Sequence, residues 1–392
     1  MRKAEPVKVL ISGAGIGGLA AAQALIADGH DVTVFEQAAR LRHGGAAVTL
    51  WSNGTGVLSD LGVSLDGAGA PIDVLETRDR RGKVLVSVDV AQAAARYRHP
   101  HVCLPRTRLL ETLAAGLPAG AVVFGRAAKA VTETAGPVRV TFADGGASDG
   151  GTVDGDLLIS ADGRGSVIRD QLWGGDPGQL TGWATWQGLT PLPSEITASR
   201  RSVLFVGKPG TCGLMPAGDG LLQWWFDLRW TPGTPPPAKP VAMLRERFGD
   251  WAPPVREVLA AVTDDEAGFF PHCRHRVPRT WGSGRVTVIG DAAHSMPPTR
   301  AQGANQALED AWALAAALRD AATAGTATET ALRAFERARS GKVSVVSRQA
   351  GSEDYNRYGA VVSRLIPGPL ATAYYTRWLR RISTYLDPAS LS

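Results

Sequence analysis

The first forty residues commit the chain to one local topology. Residues 7–12, VKVLIS, form a short β-branched apolar run, followed by Gly13-Ala14-Gly15-Ile16-Gly17-Gly18 and an Ala/Leu-rich stretch to about Asp28. VTVFE, residues 32–36, is again apolar and β-branched. The pattern predicts strand, tight turn, helix and strand, the opening of a parallel dinucleotide-binding sheet. Gly13 permits the turn, Gly15 lets the backbone approach a pyrophosphate, and Gly18 lets the helix pack on the strand; Gly17 completes the loop. The helix N-terminus offers unpaired N–H groups and partial positive charge to the phosphates. Glu36 ends the second strand, where a carboxylate accepts hydrogen bonds from ribose hydroxyls and disfavours a 2′-phosphate. A Gly-rich structural turn with an incidental Glu is the alternative, and a GxGxxG motif alone is a weak signal. Its place between strand and helix favours the dinucleotide.

The same segment, read only for hydropathy, resembles a signal sequence behind "MRK". Four glycines interrupt the run and a second strand follows it, so neither a signal nor a stable membrane span is expected. At 392 residues the chain holds two to three domains' worth of polypeptide, and 44% hydrophobic residues suffice for a sizeable core. The net charge of +5 is mild over this length, with no Lys/Arg-rich run, which argues against nucleic-acid binding. Cys103, Cys212 and Cys273 are too few and too scattered for a disulfide framework or zinc module. They fit a reducing cytoplasm.

Further along, RTRLLETLAAGL (106–117) reads as an amphipathic helix, and AVVFGRAAKAVTET, VRVTFADG and GDLLISADG as strands joined by Gly/Asp turns. FADGGASDGGTVDGD reads as a hairpin region. From about 180 to 275 strand-like pieces dominate and tryptophans cluster, which predicts a mostly antiparallel sheet inserted into an α/β chain. PVAMLRERFGDW and PVREVLAAV read as short helices within it. RVTVIGD (285–291) is a buried strand, a long Ala/Leu helix follows over about 303–323, and the tail (328–386) is helical with a break at IPGP.

Two further motifs carry chemistry. Asp156-Leu-Leu-Ile-Ser-Ala-Asp162-Gly163-Arg164-Gly165-Ser166-Val-Ile-Arg169 is a strand, an Asp-Gly turn and a helix start, which alone is equally an ordinary turn with an N-cap. GDAAHSMPPTRAQGANQALED (290–310) joins Asp291, His294, a Pro pair and Arg300 to a helix start. His294 lacks a ligand partner three or four residues away, so no metal site is expected.

In this order and at this spacing, the three motifs resemble the class A flavoprotein monooxygenases, which share the p-hydroxybenzoate hydroxylase fold. The resemblance reaches to about residue 340. GGAAVTLWSNG (44–54) and FGDWAPPVREVL (248–259) look like stretches of the single-component salicylate and urate hydroxylases. It implies FAD as cofactor and NADH or NADPH as transient co-substrate. Through a flavin C4a-hydroperoxide, one atom of O2 would then be inserted by hydroxylation or epoxidation of an electron-rich aromatic substrate.

The resemblance also implies roles. Gly13, Gly15 and Gly18 would hold the pyrophosphate, Glu36 the adenosine ribose, and Arg42 and Arg106 the cofactor. Asp162 would serve FAD and the nicotinamide nucleotide, and Asp291 a ribityl hydroxyl. The N–H groups of Gly303, Ala304 and Asn305 would face the pyrimidine edge, where reduced flavin carries negative charge that a helix N-terminus stabilises.

The reactive species must be kept dry, so Pro297 and Pro298 are expected to wall the site. Trp183, Trp186, Leu214, Met215, Trp224 and Trp225 are the candidates for an apolar pocket, although on alternating strands half of such residues face a core instead. The expected architecture is α/β: a discontinuous Rossmann-type FAD-binding domain (1–72, 101–178, 276–327), an inserted antiparallel substrate domain (73–100, 179–275) and a helical C-terminal region (328–392). The protein is expected to be monomeric or homodimeric, without membrane insertion.

The chain departs from the family pattern at two places. Ala301-Gln302-Gly303 stands where the family reads Gly-Gln-Gly, preceded by Arg300, a candidate contact for an anionic substrate or a solvent-facing residue. The Arg and Asp that recognise substrate in urate-oxidising relatives find no match in GKPGTCGLMP (207–216) or PPTRAQG (297–303), so urate is not expected. No pocket His or Tyr stands ready to deprotonate a phenol, which favours an indole or a polyketide-type phenol. Two rivals remain: an FAD oxidoreductase of the same fold that inserts no oxygen, and a flavin-binding sensor.

Overall fold

The computed structural model describes residues 6–41, 46–133, 136–143, 151–176 and 178–387. Arg42 and the turn at 144–150 lie outside the described residues. β1 (Lys8–Ser12) is the central strand of a five-stranded parallel sheet, flanked by β2 (Asp31–Glu36) and β8 (Val122–Phe124) on one side. On the other side lie β12 (Leu157–Ser160) and β18 (Val286–Val288). Val9, Leu10 and Ile11 are fully buried, as expected of a parallel strand covered on both faces. Helices α1 (Ile16–Ala27), α4 (Arg106–Ala115) and α9 (Gly303–Ala324) pack in this core. A three-stranded antiparallel sheet, β9 (Ala128–Glu133), β10 (Val138–Phe142) and β11 (Thr152–Gly155), joins it through Phe142, whose ring lies 4.6 Å from that of Phe35.

Residues 74–89 and 179–274 together build the second large sheet. Its strands are β5 (Val74–Asp79), β6 (Val84–Asp89), β13 (Gln179–Pro191), β14 (Arg201–Gly207), β15 (Gly210–Pro216), β16 (Leu221–Arg229) and β17 (Gly268–Arg274). They run in the order β17-β13-β16-β15-β14-β5-β6, antiparallel except for the β14–β5 pair. Helices α6 (Pro240–Phe248) and α7 (Pro253–Ala261) cover one face. The other face looks onto a small sheet of β3 (Ala47–Leu50), β4 (Ala70–Pro71) and β7 (Val102–Pro105), and onto the C-terminal helices. Four short helices complete the fold: α2 (Ser52–Asp60), α3 (Ala91–Tyr97), α5 (Val167–Trp173), which packs against β9 through Gln171, and α8 (Asp291–His294).

The tail forms α10 (Thr328–Gly351), α11 (Asp354–Leu365) and α12 (Gly368–Ile382). The break at IPGP appears as expected, because Pro367 cannot continue α11. A second break, not foreseen, falls at Glu353, whose φ of +56° is left-handed. Among the described residues no helix is long and apolar enough to cross a membrane.

One side chain fastens the tail to the first sheet. Arg339 of α10 is fully buried, and all five of its N–H groups donate. Nε bonds Asp310 Oδ1 at 2.7 Å, Nη1 bonds Glu309 Oε2 at 2.7 Å and Thr384 Oγ1 at 2.9 Å, and Nη2 bonds Gln306 O and Oε1. Glu309 also accepts from Asn53 Nδ2 and from the Thr384 N–H. Removing the guanidinium leaves two buried carboxylates without their counter-charge. Arg339→Leu is therefore expected to cost about 3–5 kcal/mol. Arg319→Leu, which breaks the exposed pair with Asp28, should cost under about 1 kcal/mol. Denaturant midpoints of the two variants check this contrast.

Candidate functional site

The Gly-rich turn runs from the C-terminal end of β1 into α1, against the loop after β12. Gly13 has φ +102°, and a Cβ there would sit 2.3 Å from the Ala161 carbonyl oxygen. A Cβ at Gly18 would lie 1.9 Å from the Gly13 oxygen, whereas at Gly15 it would meet nothing within 4 Å. Gly13 and Gly18 thus close the turn, while Gly15 faces open space at an α1 N-terminus that no side chain caps. A Cβ at Gly17 would touch the Ala307 Cβ at 3.4 Å, so this glycine sets the approach of α1 to α9. Glu36 is buried, and its carboxylate accepts from the N–H groups of Ala14 and Ala38, both at 2.9 Å. It ties the turn to the end of β2 and keeps lone pairs available for a sugar hydroxyl.

Across the sheet, Asp162 accepts from Ser160 Oγ at 2.6 Å, and Gly163 (φ +84°) turns the chain. Ser166 then caps α5 by accepting from the Arg169 N–H. Arg169, buried itself, donates back to the Arg164 carbonyl at 2.8 Å and so fixes the loop.

The third motif folds as a compact loop between β18 and α9. Asp291 is exposed at the start of α8, and a Cβ on Gly303 would stand 3.9 Å from its Oδ1. His294 points the other way: it is buried, with Nε2 2.6 Å from Asp310 Oδ2, which also accepts from the Gly290 N–H. Burial alone pushes the Asp310 carboxyl up, but His294, Arg339 and the Gly290 N–H outweigh it and hold the group below its usual range. Asp291 and His294 are therefore no acid–base pair, and His294 serves to anchor the loop.

The N-terminus of α9 receives no side-chain cap. Its first N–H groups, those of Gly303, Ala304 and Asn305, have no intrahelical acceptor. The Asn305 side chain is occupied elsewhere: its Nδ2 donates to the Thr49 and Ala301 carbonyls, and its Oδ1 accepts from the Trp51 N–H. Beside this helix start, Gln302 Nε2 is buried without a hydrogen-bond partner among the described residues. An uncapped helix, an orphaned amide and an exposed carboxylate fit a polar cofactor with a negatively charged edge. Arg106 begins α4 directly after β7, and its N–H bonds Ala46 O.

The substrate-side candidates divide by strand parity. Met215 and Trp225 share an apolar cluster with Ala47, Met296 and Ala301. Thr49 Oγ1 donates to Met215 Sδ, and the indole of Trp225 lies over Gly213, where a Cβ would be 1.9 Å from the ring. Pro297 is buried beside this cluster, whereas Pro298 is exposed and Arg300 half-buried. Gln223 and Gln187 continue the face, with Gln223 Oε1 accepting from the Ala47 N–H.

Trp186, Leu214 and Trp224 point to the opposite face and pack with Leu244, Phe248 and Val255 of α6 and α7, so they are core residues, not pocket walls. Trp183 is also misplaced by the sequence reading: it sits at the far end of β13, under the Arg229 guanidinium. Sequence reasoning missed Asn53, Gln302, Asp310 and Arg339. The available signal was the Glu309-Asp310 pair in an otherwise Ala/Leu-rich helix, with Arg339 inside an otherwise amphipathic one.

Comparison with known proteins gives the family. A family model described as an FAD binding domain matches residues 6–350. The FAD-dependent urate hydroxylase of Klebsiella pneumoniae subsp. pneumoniae is 31% identical over 318 residues, covering 80% of this chain and 82% of that protein. The 3-amino-4-hydroxybenzoate 2-monooxygenase of Streptomyces cremeus is 33% identical over 353 residues, covering 88% and 86%. The crystal structure of Klebsiella pneumoniae HpxO complexed with FAD and uric acid superposes with a TM-score of 0.81 at 28% identity, covering 98% of this chain and 97% of that one. The chain belongs to the FAD binding domain family of class A flavoprotein monooxygenases, and it is an FAD-dependent oxidoreductase.

One strained residue sits inside the site. Ala301 adopts φ +47°, ψ +40°, a left-handed conformation that a Cβ disfavours. Ala301→Gly is expected to stabilise the protein by about 1 kcal/mol, with the denaturant midpoint rising. An unchanged or lower midpoint would contradict the strain.

Proposed function

We propose that the protein is a single-component, NAD(P)H- and O2-dependent monooxygenase that hydroxylates or epoxidises an electron-rich aromatic ring. The observation that carries this reading is the meeting of the uncapped α9 N-terminus with the apolar face of Met215, Trp225 and Pro297. When bound, FAD supplies the redox chemistry, passing two electrons from reduced nicotinamide to O2, one atom of which enters the substrate while the other leaves as water.

The chain's own residues bind, orient and exclude water. The turn at Gly13, Gly15 and Gly18 and the α1 N–H groups take the pyrophosphate, and Glu36 takes the adenosine ribose. Asp162 and Arg106 border the cofactor, and Asp291 accepts from its sugar-alcohol chain. The N–H groups of Gly303, Ala304 and Asn305 stabilise negative charge at the ring edge. Met215, Trp225 and Pro297 keep water from the reacting atoms, and the half-buried Arg300 is the candidate contact for an anionic group on the substrate.

Beside Met215 and Trp225 the hydrogen-bonding side chains of this face are Gln187 and Gln223, amides that take up no proton near neutral pH, and His272 and Asp227 further along are engaged by Glu353 and Thr185. The substrate ring must therefore arrive already electron-rich. Relatives named for urate and for an aminohydroxybenzoate act on small rings of that kind.

The test starts with purified protein, which should carry a flavin spectrum. Across a panel of phenols, indoles and polycyclic aromatics, one class should stimulate NADH or NADPH oxidation and yield a product with one atom from 18O2. Substrate turnover without 18O incorporation would favour an oxidoreductase that inserts no oxygen. A flavoprotein inert to every reductant would favour a sensor. Asp291→Ala should retain its fold but hold FAD at least about tenfold more weakly, the loss of one charge-assisted hydrogen bond. Flavin fluorescence on dilution reads the difference.

A further inference from the structure

The seven-stranded sheet ends, away from β3, in a cavity of about 610 Å³ that shares no residue with the dinucleotide site. Six cations line it: Arg80 and Arg81 from the β5–β6 turn, Lys208 from the β14–β15 turn, Arg229 from the end of β16, and Arg357 and Arg364 from α11. Arg80 is paired with Asp250 at 3.0 Å; among the described residues none of the other five is in an ion pair. The one carboxylate on the wall, Asp79, is engaged by its own turn, where Oδ1 accepts from the N–H groups of Arg81 and Lys83. Trp183 forms part of the same wall. It is only 5% exposed, its Nε1 is buried without a hydrogen-bond partner, and the Arg229 guanidinium stands 5.2 Å from its ring.

Like charges gathered in a concavity repel one another, and a buried indole N–H without an acceptor is unfavourable. The charge repulsion is relieved by one kind of occupant, an anion with several oxygens. Four guanidinium forks converging on one space suit phosphate oxygens, which each fork can bind in a bidentate manner.

We propose that this cavity is a binding site for a phosphate-bearing ligand, distinct from the FAD site. Two sources offer that chemistry. One is a soluble organic phosphate. The other is a lipid headgroup, because α11 exposes Tyr358, Val361, Val362 and Leu365 on one helical stripe beside Arg357 and Arg364.

The experiment uses the FAD-loaded protein, so that the Gly-rich turn is occupied. Inorganic pyrophosphate is titrated by calorimetry, and Trp fluorescence is followed in parallel. Saturable binding is expected with Kd below about 1 mM. It should weaken at least about tenfold in the Arg229→Ala/Arg357→Ala variant and also in Arg364→Gln, with bound FAD and thermal midpoint unchanged. Absence of saturable binding, or binding equal in the variants, overturns the proposal.

Sedimentation with phosphatidylglycerol vesicles, against phosphatidylcholine vesicles, separates the sources. Vesicle binding that pyrophosphate displaces and the double variant loses assigns the site to a lipid headgroup. Saturable pyrophosphate binding without vesicle binding assigns it to a soluble phosphate. Vesicle binding indifferent to both, together with no saturable pyrophosphate binding, overturns the site.

Discussion

The buried guanidinium of Arg339 is the interaction on which the geometry of the site rests. It bonds Gln306, Glu309 and Asp310 on α9 and Thr384 beyond α12. Asp310 in turn holds the Gly290 N–H and His294, and Glu309 holds Asn53 of α2. Desolvating these charges is costly, and the cost is met only because every guanidinium N–H and the facing carboxylate oxygens are bonded. Directional bonds to three positions of α9, Gln306, Glu309 and Asp310, fix its rotation and axial position, which apolar packing alone would leave freer to slide. The placement of the Gly303–Asn305 N–H groups, and of Asp291 beside them, follows from that lock.

Much of the dinucleotide end was legible in the sequence because its motifs are local. Gly13, Gly18 and Gly163 are required by backbone geometry within a few residues, so their spacing, set between apolar β-branched runs and helical stretches, announced strand, turn and helix. Arg339 was not legible in this way: it reads as one more polar residue on an amphipathic helix, and its partners lie about 30 and 45 residues away. The break at Glu353 was hidden for a different reason. Gly351 and Ser352 interrupt a helical pattern only weakly, and what ends α10 there is tertiary. Glu353 is buried and accepts from Thr181 Oγ1 and Asn356 Nδ2 while its Oε1 lies 2.7 Å from His272 Nδ1.

The tryptophan-rich region shows where pattern reading stops. Alternation in β13, β15 and β16 correctly separates Trp186, Leu214 and Trp224 from Met215 and Trp225. It does not say which set lines a site, because both faces of this sheet are covered and both read as apolar. The decision comes from what packs above: α6 and α7 on one face, and β3 with the loop at 296–301 on the other.

That second face also changes character along its strands, and the change separates two kinds of chemistry. Near β3 it is apolar, at Met215 and Trp225. Gln187 and Gln223 follow, then Thr185, Asp227 and His272, and at the end Trp183 with Arg229. In the middle group, burial pushes the Asp227 carboxyl up against the pull of His272. Burial pushes His272 down, but Glu353 and Asp227 outweigh it and hold the imidazole above its usual range. His272 Nε2 lies 2.6 Å from Thr185 Oγ1, which donates to Asp227, so the group is closed on itself. From Gln187 to Trp183 the strand advances four residues, roughly 13 Å. A self-neutralising buried cluster across that distance places a polarisable layer between the cationic cavity and the apolar face. The apolar face can then stay dry and weakly charged, as chemistry on an electron-rich ring requires, while the same sheet carries concentrated positive charge at its other end.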